Sequence, residues 1–155
     1  MSSSFLMRLP VIGGLLQKIY LTRFANTMSL LLSSDIPMLK ALELTRKMIS
    51  FYPLESSLHV IEQAVLVGNS LNKSMELHPV FPAKMISMIK VGEEVNQLSL
   101  FFDKISVQYS RDVDHLSSLL GKLIEPVVIV ILGLITGIIL IALYLPLFKF
   151  GQTLQ

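Results

Sequence analysis

Cysteine is absent from this 155-residue chain, and its absence excludes disulfides, thiolate metal sites and a cysteine nucleophile. The three histidines, His59, His78 and His115, never stand three or four residues apart, so no helical histidine pair can hold a metal ion. The phosphate-binding pattern Gly-x-x-x-x-Gly-Lys and the nucleophile elbow Gly-x-Ser-x-Gly are also missing. The sequence therefore predicts no catalytic residues, metal or cofactor. Any ATP-driven work would have to be done by a partner.

Charge is scarce as well. Asp, Glu, Lys and Arg make up 15% of the chain, whereas hydrophobic residues make up 52%; a soluble domain carries about 25% charge. The net charge is only +2, and the basic residues are scattered, which argues against nucleic acid as a partner. Part of the chain is therefore expected to face something other than water.

That part is a charge-free run from Val127 to Phe148. A membrane-spanning helix needs about 20 apolar residues, so the run predicts a transmembrane helix over 126–148, entered at Glu125 and Pro126 and followed by a short tail, 149–155. The core helix of a soluble protein is the alternative, but core helices rarely need so uniform a run. Membrane lipid is thus an expected partner.

Two features of the run bear on packing and orientation. Gly133 and Gly137 lie four residues apart and share one helix face, where small residues let two membrane helices approach closely; the alternative is that glycine is simply common in such helices. More Lys and Arg residues precede the run than follow it. The positive-inside rule then predicts a cytoplasmic N-terminal part and a tail on the opposite side.

The residues before the run predict helices only, because no alternating strand pattern with hairpin turns occurs. Asp35 and Pro37 mark a turn, with Asp35 as a candidate cap and Pro37 in the first turn of the second helix. Gly68 should end the third helix and Ser70 should cap a short fourth one. We therefore predict an all-α fold: an antiparallel bundle of about six helices over 18–125, preceded by an entry segment, 1–17, and followed by one transmembrane helix, with joints at Gly121 and Pro126.

The segment "MIKVGEEVNQL" interrupts the helical pattern. A catalytic or metal-binding pair is one interpretation of its two carboxylates, but adjacent helical residues point about 100° apart. A helix corner is the favoured interpretation: a carboxylate accepts hydrogen bonds from free amides at the start of the sixth helix, and Asn96 adopts a left-handed conformation. A surface carboxylate that binds a partner or a cation stays open. The corner or partner surface comprises Gly92, Glu93, Glu94, Asn96, Gln97 and Leu98.

Three segments, in order, carry a family resemblance: "RFANTMSLLLSSDIPMLKALEL", "FPAKMISMIKVGEEVNQL" and "LIEPVVIVILGLITGIILIALYLPLF". Together they resemble the type II secretion F-protein family, which includes the inner-membrane platform proteins of type IV pilus machines. The family's Gly-Glu-x-x-Gly-x-Leu corner corresponds to Gly92, Glu93 and Leu98, with Asn96 in place of the second glycine. Asp35 likewise stands where the family has glycine.

The resemblance implies a non-enzymatic scaffold in the bacterial inner membrane. Its implied partners are a secretion or pilus ATPase, a pilin or pseudopilin, other inner-membrane assembly components and further copies of itself. It also implies that the chain corresponds to the second helical domain and last membrane helix of a longer protein. Two alternatives stay open: a membrane-anchored enzyme that uses Asp112, His115 or the Glu93–Glu94 pair, and an unrelated membrane-anchored helical adaptor or sensor.

Overall fold

The computed structural model describes residues 10–152, and these residues form six helices and no strands. The predicted all-α fold is therefore confirmed. The first nine residues of the predicted entry segment and the last three of the predicted tail lie outside the described residues. The helices are α1 (Pro10–Ser33), α2 (Met38–Met48), α3 (Tyr52–Leu66), α4 (Leu71–Glu76), α5 (Ala83–Glu94) and α6 (Leu98–Gln152).

The chain divides into two compact units, one that ends at Asp114 and one that begins at His115. Within the first unit, each of the helices from α1 to α5 packs against the next one in the chain. All five, together with the start of α6, contribute to one core. Its largest fully buried side chains are Leu21, Phe24, Met28, Leu42, Leu54, Leu58, Ile61, Leu71, Met75, Met85, Ile89 and Phe102.

Phe24 lies at the centre of this core. Its ring is 5.6 Å from the ring of Phe102, edge to face, and 5.7 Å from the ring of Phe81. Both are favourable aromatic geometries. Because Phe24 is on α1, Phe81 precedes α5 and Phe102 is on α6, these contacts join helices that are far apart in the sequence.

The first turns of α6 lie antiparallel to α1. Ser29 and Ser99 exchange hydrogen bonds, each hydroxyl donating to the other's backbone carbonyl at 3.1 and 3.2 Å. Further along, Lys18 pairs with Asp112 at 3.4 Å. From the first pair to the second, the residue number rises on α6 and falls on α1. The two helices therefore run antiparallel. The reciprocal serine bonds allow the two backbones to approach closely without leaving a hydroxyl unpaired.

Three helices end in the same hydrogen-bond pattern. After α1, the amide of Ile36 donates to the carbonyl of Leu31 and that of Asp35 to Leu32, both at 3.2 Å. This pair of bonds is a Schellman motif, which requires a left-handed residue just past the helix end. The same pattern follows α3 and α5. The left-handed residues are Asp35 (φ 60°), Gly68 (φ 99°) and Asn96 (φ 57°).

Two predicted caps are wrong in detail. Asp35 does not cap α2 with its side chain; it closes α1, while Pro37 is the residue before α2 and its carbonyl accepts the first helical bond, from Ala41. Ser70 does occupy the N-cap position of α4, but its hydroxyl makes no capping bond. In both cases the residue type marked the boundary correctly, whereas the predicted side-chain bond is not formed.

Neither Gly121 nor Pro126 ends a helix, since α6 continues through both residues, and a joint at either one stays a prediction. Pro126 and Pro146 both lie inside it. The fixed φ of proline suits a helix. However, proline lacks the amide that would donate to the carbonyl four residues earlier, and its ring crowds that carbonyl. Membrane-spanning helices tolerate proline where other groups satisfy the backbone carbonyl that loses its partner.

Asp35→Gly should stabilise the fold, because an L-residue in the left-handed region is strained and glycine is not. We expect a gain of about 0.5–1 kcal/mol, measured by thermal unfolding in detergent micelles. Ser34→Gly is the matched control: the neighbouring residue is not among those with positive φ, so it should lose stability. An equal effect of both substitutions would contradict the strain at Asp35.

Candidate functional site

The corner between α5 and α6 is built by its backbone. The amide of Gln97 donates to the carbonyl of Gly92 at 2.8 Å, and the amide of Asn96 donates to the carbonyl of Glu93 at 3.2 Å. Asn96 takes the left-handed conformation, as predicted, because asparagine tolerates it better than most residues do. The corner reverses the chain within three residues, from Glu94 at the end of α5 to Leu98 at the start of α6.

Gly92 is buried because α6 returns directly over it. A Cβ at this position would lie 3.0 Å from Cβ and 3.1 Å from Cγ of Phe101, closer than carbon atoms normally approach. The Phe101 ring is in turn covered by the Lys104 ammonium, 5.2 Å from its centroid. Glycine at position 92 thus lets α6 pack closely on α5, whereas a Cβ there would force Phe101 to shift. The sequence pattern alone did not show this.

Glu93 points away from the corner and binds another helix. Its Oε1 accepts a hydrogen bond from the amide of Asn72 at 2.6 Å, and its Oε2 accepts one from the amide of Leu71 at 3.2 Å. These are the first two residues of α4, where free amides and the helix dipole favour a carboxylate. The prediction that a carboxylate caps a helix was right in kind, but the helix is α4 and not α6.

Glu94 has a different environment from Glu93. Glu93 is half-buried, whereas Glu94, Asn96 and Gln97 are exposed and Leu98 is half-buried. Since Glu93 is committed to α4, the two carboxylates do not converge on a common proton or ion. Within residues 10–152, no cluster of three His, Asp or Glu side chains could hold a metal ion.

The alternative site at Asp112 and His115 has no catalytic arrangement in the described structure. Asp112 pairs with Lys18, and its charge adds to the effect of burial, which raises the pKa of Tyr109. His115 is exposed. A carboxylate that forms a salt bridge and a solvated imidazole are ordinary features of a helix surface.

A groove lies between α3 and α4. It has a volume of about 210 Å³ and is lined mainly by Val60, Ile61, Ala64, Lys73, Leu77 and His78. Apolar surface lies open to solvent at its rim, where the Leu77 side chain is 81% exposed. The Nε2 atom of His78 is buried and has no hydrogen-bond partner. Sequence patterns did not predict this groove, because its shape depends on the angle at which α3 and α4, consecutive helices, pack against each other.

The second unit carries the apolar run. Among the described residues, α6 is the one helix long and apolar enough to cross a membrane, and its most apolar stretch is not buried within the protein. Glu125 and Pro126, which precede the run, are exposed. A Cβ added at Gly133 or at Gly137 would meet nothing within 4 Å. Both glycines are thus open to a neighbouring helix, and self-association through them stays a prediction.

Gly92→Ala should destabilise the first unit, because Cβ of Phe101 is fixed to α6 and the two helices would have to separate. We expect a loss of about 1–3 kcal/mol, typical of overpacking, measured by urea unfolding in detergent. Gly14→Ala is the matched control in α1, where a Cβ meets nothing and the gain should be about 0.5–1 kcal/mol. If both substitutions stabilised the protein equally, Phe101 would be able to move away from the added Cβ without cost.

Gly137→Leu should weaken self-association of the membrane helix, because the larger side chain holds two backbones apart. We expect about tenfold weaker association in detergent, equivalent to about 1.4 kcal/mol, measured by sedimentation equilibrium. Ala142→Leu is the control, since position 142 lies about 140° around the helix from position 137. Association unchanged by Gly137→Leu would exclude this face as the contact.

Comparison with known proteins places the chain in a family. The type II secretion system (T2SS) protein F model matches residues 24–146. The type IV pilus assembly protein PilC of Thermus thermophilus is 37% identical over 150 residues, 96% of this chain and 37% of that protein. Type II secretion system protein F of Pseudomonas aeruginosa is 28% identical over 148 residues, 96% of this chain and 36% of that protein. The chain spans well under half of these relatives, and it belongs to the type II secretion system protein F family.

Proposed function

We propose that this chain is part of a non-enzymatic inner-membrane platform in a type II secretion or type IV pilus assembly machine. In this proposal the platform couples a cytoplasmic ATPase to the assembly of pilin or pseudopilin subunits. The observation that carries it is the match to type IV pilus assembly and type II secretion proteins over nearly the whole chain. An unrelated membrane-anchored adaptor or sensor would not be expected to share that match.

The chemistry of the chain supports a scaffold rather than an enzyme. Glu93 is bound to α4 whereas Glu94 is exposed, and Asp112 pairs with Lys18. A scaffold instead needs a rigid body and an anchor. The first unit supplies a packed helical core, and the apolar run of α6 supplies roughly 33 Å of helix, comparable to the hydrocarbon thickness of a bilayer.

The first unit is proposed to lie in the cytoplasm. Arg111 and Lys122 precede the apolar run and Lys149 follows it, together with other basic residues on the N-terminal side. Positive residues are retained on the cytoplasmic side of a membrane helix. An ATPase partner, which needs cytoplasmic nucleotide, could then reach the first unit directly.

The exposed side of the corner is the proposed partner surface. The side chains of Glu94 and Gln97 are exposed and make no hydrogen bond with residues 10–152. Val91 and Val95, which are 43% and 51% exposed, lie beside them. A small apolar patch with a polar rim is the usual composition of a protein contact. Glu93 is not part of this surface, because both of its oxygens are bound to α4.

The test is affinity purification from membranes of the native host, with the tagged protein expressed from its own gene. Co-purification of a secretion-type ATPase and pilin-like proteins is the expected result. Recovery of neither would overturn the platform proposal.

The same experiment tests the corner through Glu94→Ala combined with Gln97→Ala. We expect about tenfold lower recovery of one partner, the effect of losing about 1.4 kcal/mol of contact energy. Glu76→Ala with Gln63→Ala is the matched control, since it removes the same two residue types from exposed positions. Full recovery with the corner variant would mean that the partner binds elsewhere on the chain. It would not contradict the platform proposal.

A further inference from the structure

The groove between α3 and α4 is bordered by apolar side chains that the fold leaves open. On α3 and its C-cap, Val60, Ala64 and Val67 recur every three or four residues, so they form one row along the helix. Val60 is 52% exposed and Val67 is 79% exposed, and Leu77, directly after α4, lies on the other wall. Single exposed apolar residues need no explanation, whereas a continuous row beside a groove is typical of a binding surface.

The size of the groove favours a side chain of another protein over a small molecule. Its volume of about 210 Å³ is below the range of about 300–1,000 Å³ that is typical of small-molecule sites. An anchoring side chain at a protein contact, by contrast, fills a small pocket of its own. The apolar row on α3 extends for two turns, about 10 Å, which suits a helix whose apolar anchors recur at the same spacing.

One positive charge lies within this apolar surface. Lys73 lines the groove, whereas no Asp or Glu residue does, and Lys73 forms no salt bridge with residues 10–152. The acidic residues of α3 have other surroundings, since Glu62 pairs with Arg46 at 2.9 Å and Glu55 lines a separate cleft. The groove therefore presents an ammonium group that an acidic group on the occupant would complement.

His78 also lines the groove and lacks a partner. Its Nε2 atom is buried and forms no hydrogen bond with the described residues, although buried polar atoms are nearly always paired. A carboxylate is an acceptor that both side chains can use. The Lys73 ammonium would donate to it directly, and an Nε2–H group would donate to it once the imidazole ring turns toward the groove.

We propose that the groove binds an amphipathic helix of a partner protein. Apolar side chains of that helix pack against Val60, Ala64 and Leu77, and a carboxylate one turn away pairs with Lys73. In this mode of recognition the apolar anchors supply the affinity, while the charge pair fixes the register of the bound helix. The inference does not depend on the platform proposal, because it specifies the chemistry of the occupant and not the machine to which the occupant belongs.

A membrane surface fits the groove less well than a protein helix does. Anionic lipid is recognised by clusters of about four to eight Lys and Arg residues, whereas one lysine lines this groove. The recess between α3 and α4 also has two apolar walls, which can enclose a side chain from both sides. A protein helix is therefore the occupant to test, and lipid and a second copy of this chain are the competing outcomes.

The test is photocrosslinking in membranes of the native host, with the protein expressed from its own gene. The photoreactive residue p-benzoylphenylalanine replaces Val60 or Leu77 in turn, and mass spectrometry identifies the crosslinked peptides. Both positions should capture the same segment of one partner, an amphipathic helix with Asp or Glu within one turn of the crosslinked residue. The same probe at Leu30, an exposed apolar position on α1 outside the groove, is the control and should not capture that segment.

Variants of Lys73 test the charge pair, because this side chain is exposed and its replacement leaves the core intact. Lys73→Glu should lower the crosslinking yield about fivefold or more, whereas Lys73→Arg should preserve it. Lys84→Glu is the matched control at an exposed position outside the groove, and it should not change the yield. Replacing the acidic residue of the partner with lysine should restore crosslinking to Lys73→Glu.

The proposal would be overturned by crosslinks to phospholipid alone, to a second copy of this chain or to a segment without Asp or Glu. A yield that Lys73→Glu leaves unchanged, or no crosslink from either position, would also overturn it. A crosslink to an acidic helix of a protein outside pilus and secretion machines would support the groove and count against the platform proposal. The two proposals can therefore fail separately.

Discussion

The packing of Phe101 on Gly92 is the contact on which the first unit depends. Because no side chain stands between them, α6 can return directly over the end of α5. That return sets the register of α6 against α1, where Ser29 meets Ser99 and Phe24 meets Phe102. A shift of α6 at the corner would be carried along a rigid helix and would disturb each of these contacts in turn.

The neighbouring carboxylates show how one turn of helix can separate a structural role from a surface role. Residues 93 and 94 point about 100° apart, so one can face the protein while the other faces solvent. Glu93 satisfies two amides that would otherwise lack partners, a contribution of about 1 kcal/mol for a typical cap. Glu94 is exposed and makes no such contact with residues 10–152, which is why the proposed partner surface includes it. Mutating Glu93 and mutating Glu94 should therefore have different effects, although the two residues are adjacent in one sequence pattern.

Local features of the fold could be predicted from the sequence because they are set by nearby residues. Pro37, Pro53 and Pro82 mark helix starts, and Gly68 and Asn96 mark helix ends, since each restricts or permits a particular backbone conformation. The link from Glu93 to α4 could not be predicted in this way. It joins residues more than twenty positions apart, and only the packing of α4 and α5 brings them together.

The continuity of α6 through Gly121 and Pro126 could not be predicted from local sequence either. Gly121 and Pro126 disfavour a helix interior by about 1 and 3 kcal/mol relative to alanine, yet neither ends α6. The apolar run after Pro126 adds a stronger constraint, because backbone groups in a bilayer have no water to bond and must pair within the helix. The side chain of Thr136 within the run also bonds inside the helix, since its hydroxyl donates to the carbonyl of Leu132 at 2.8 Å. An environment that demands internal hydrogen bonding therefore outweighs the local preference to break.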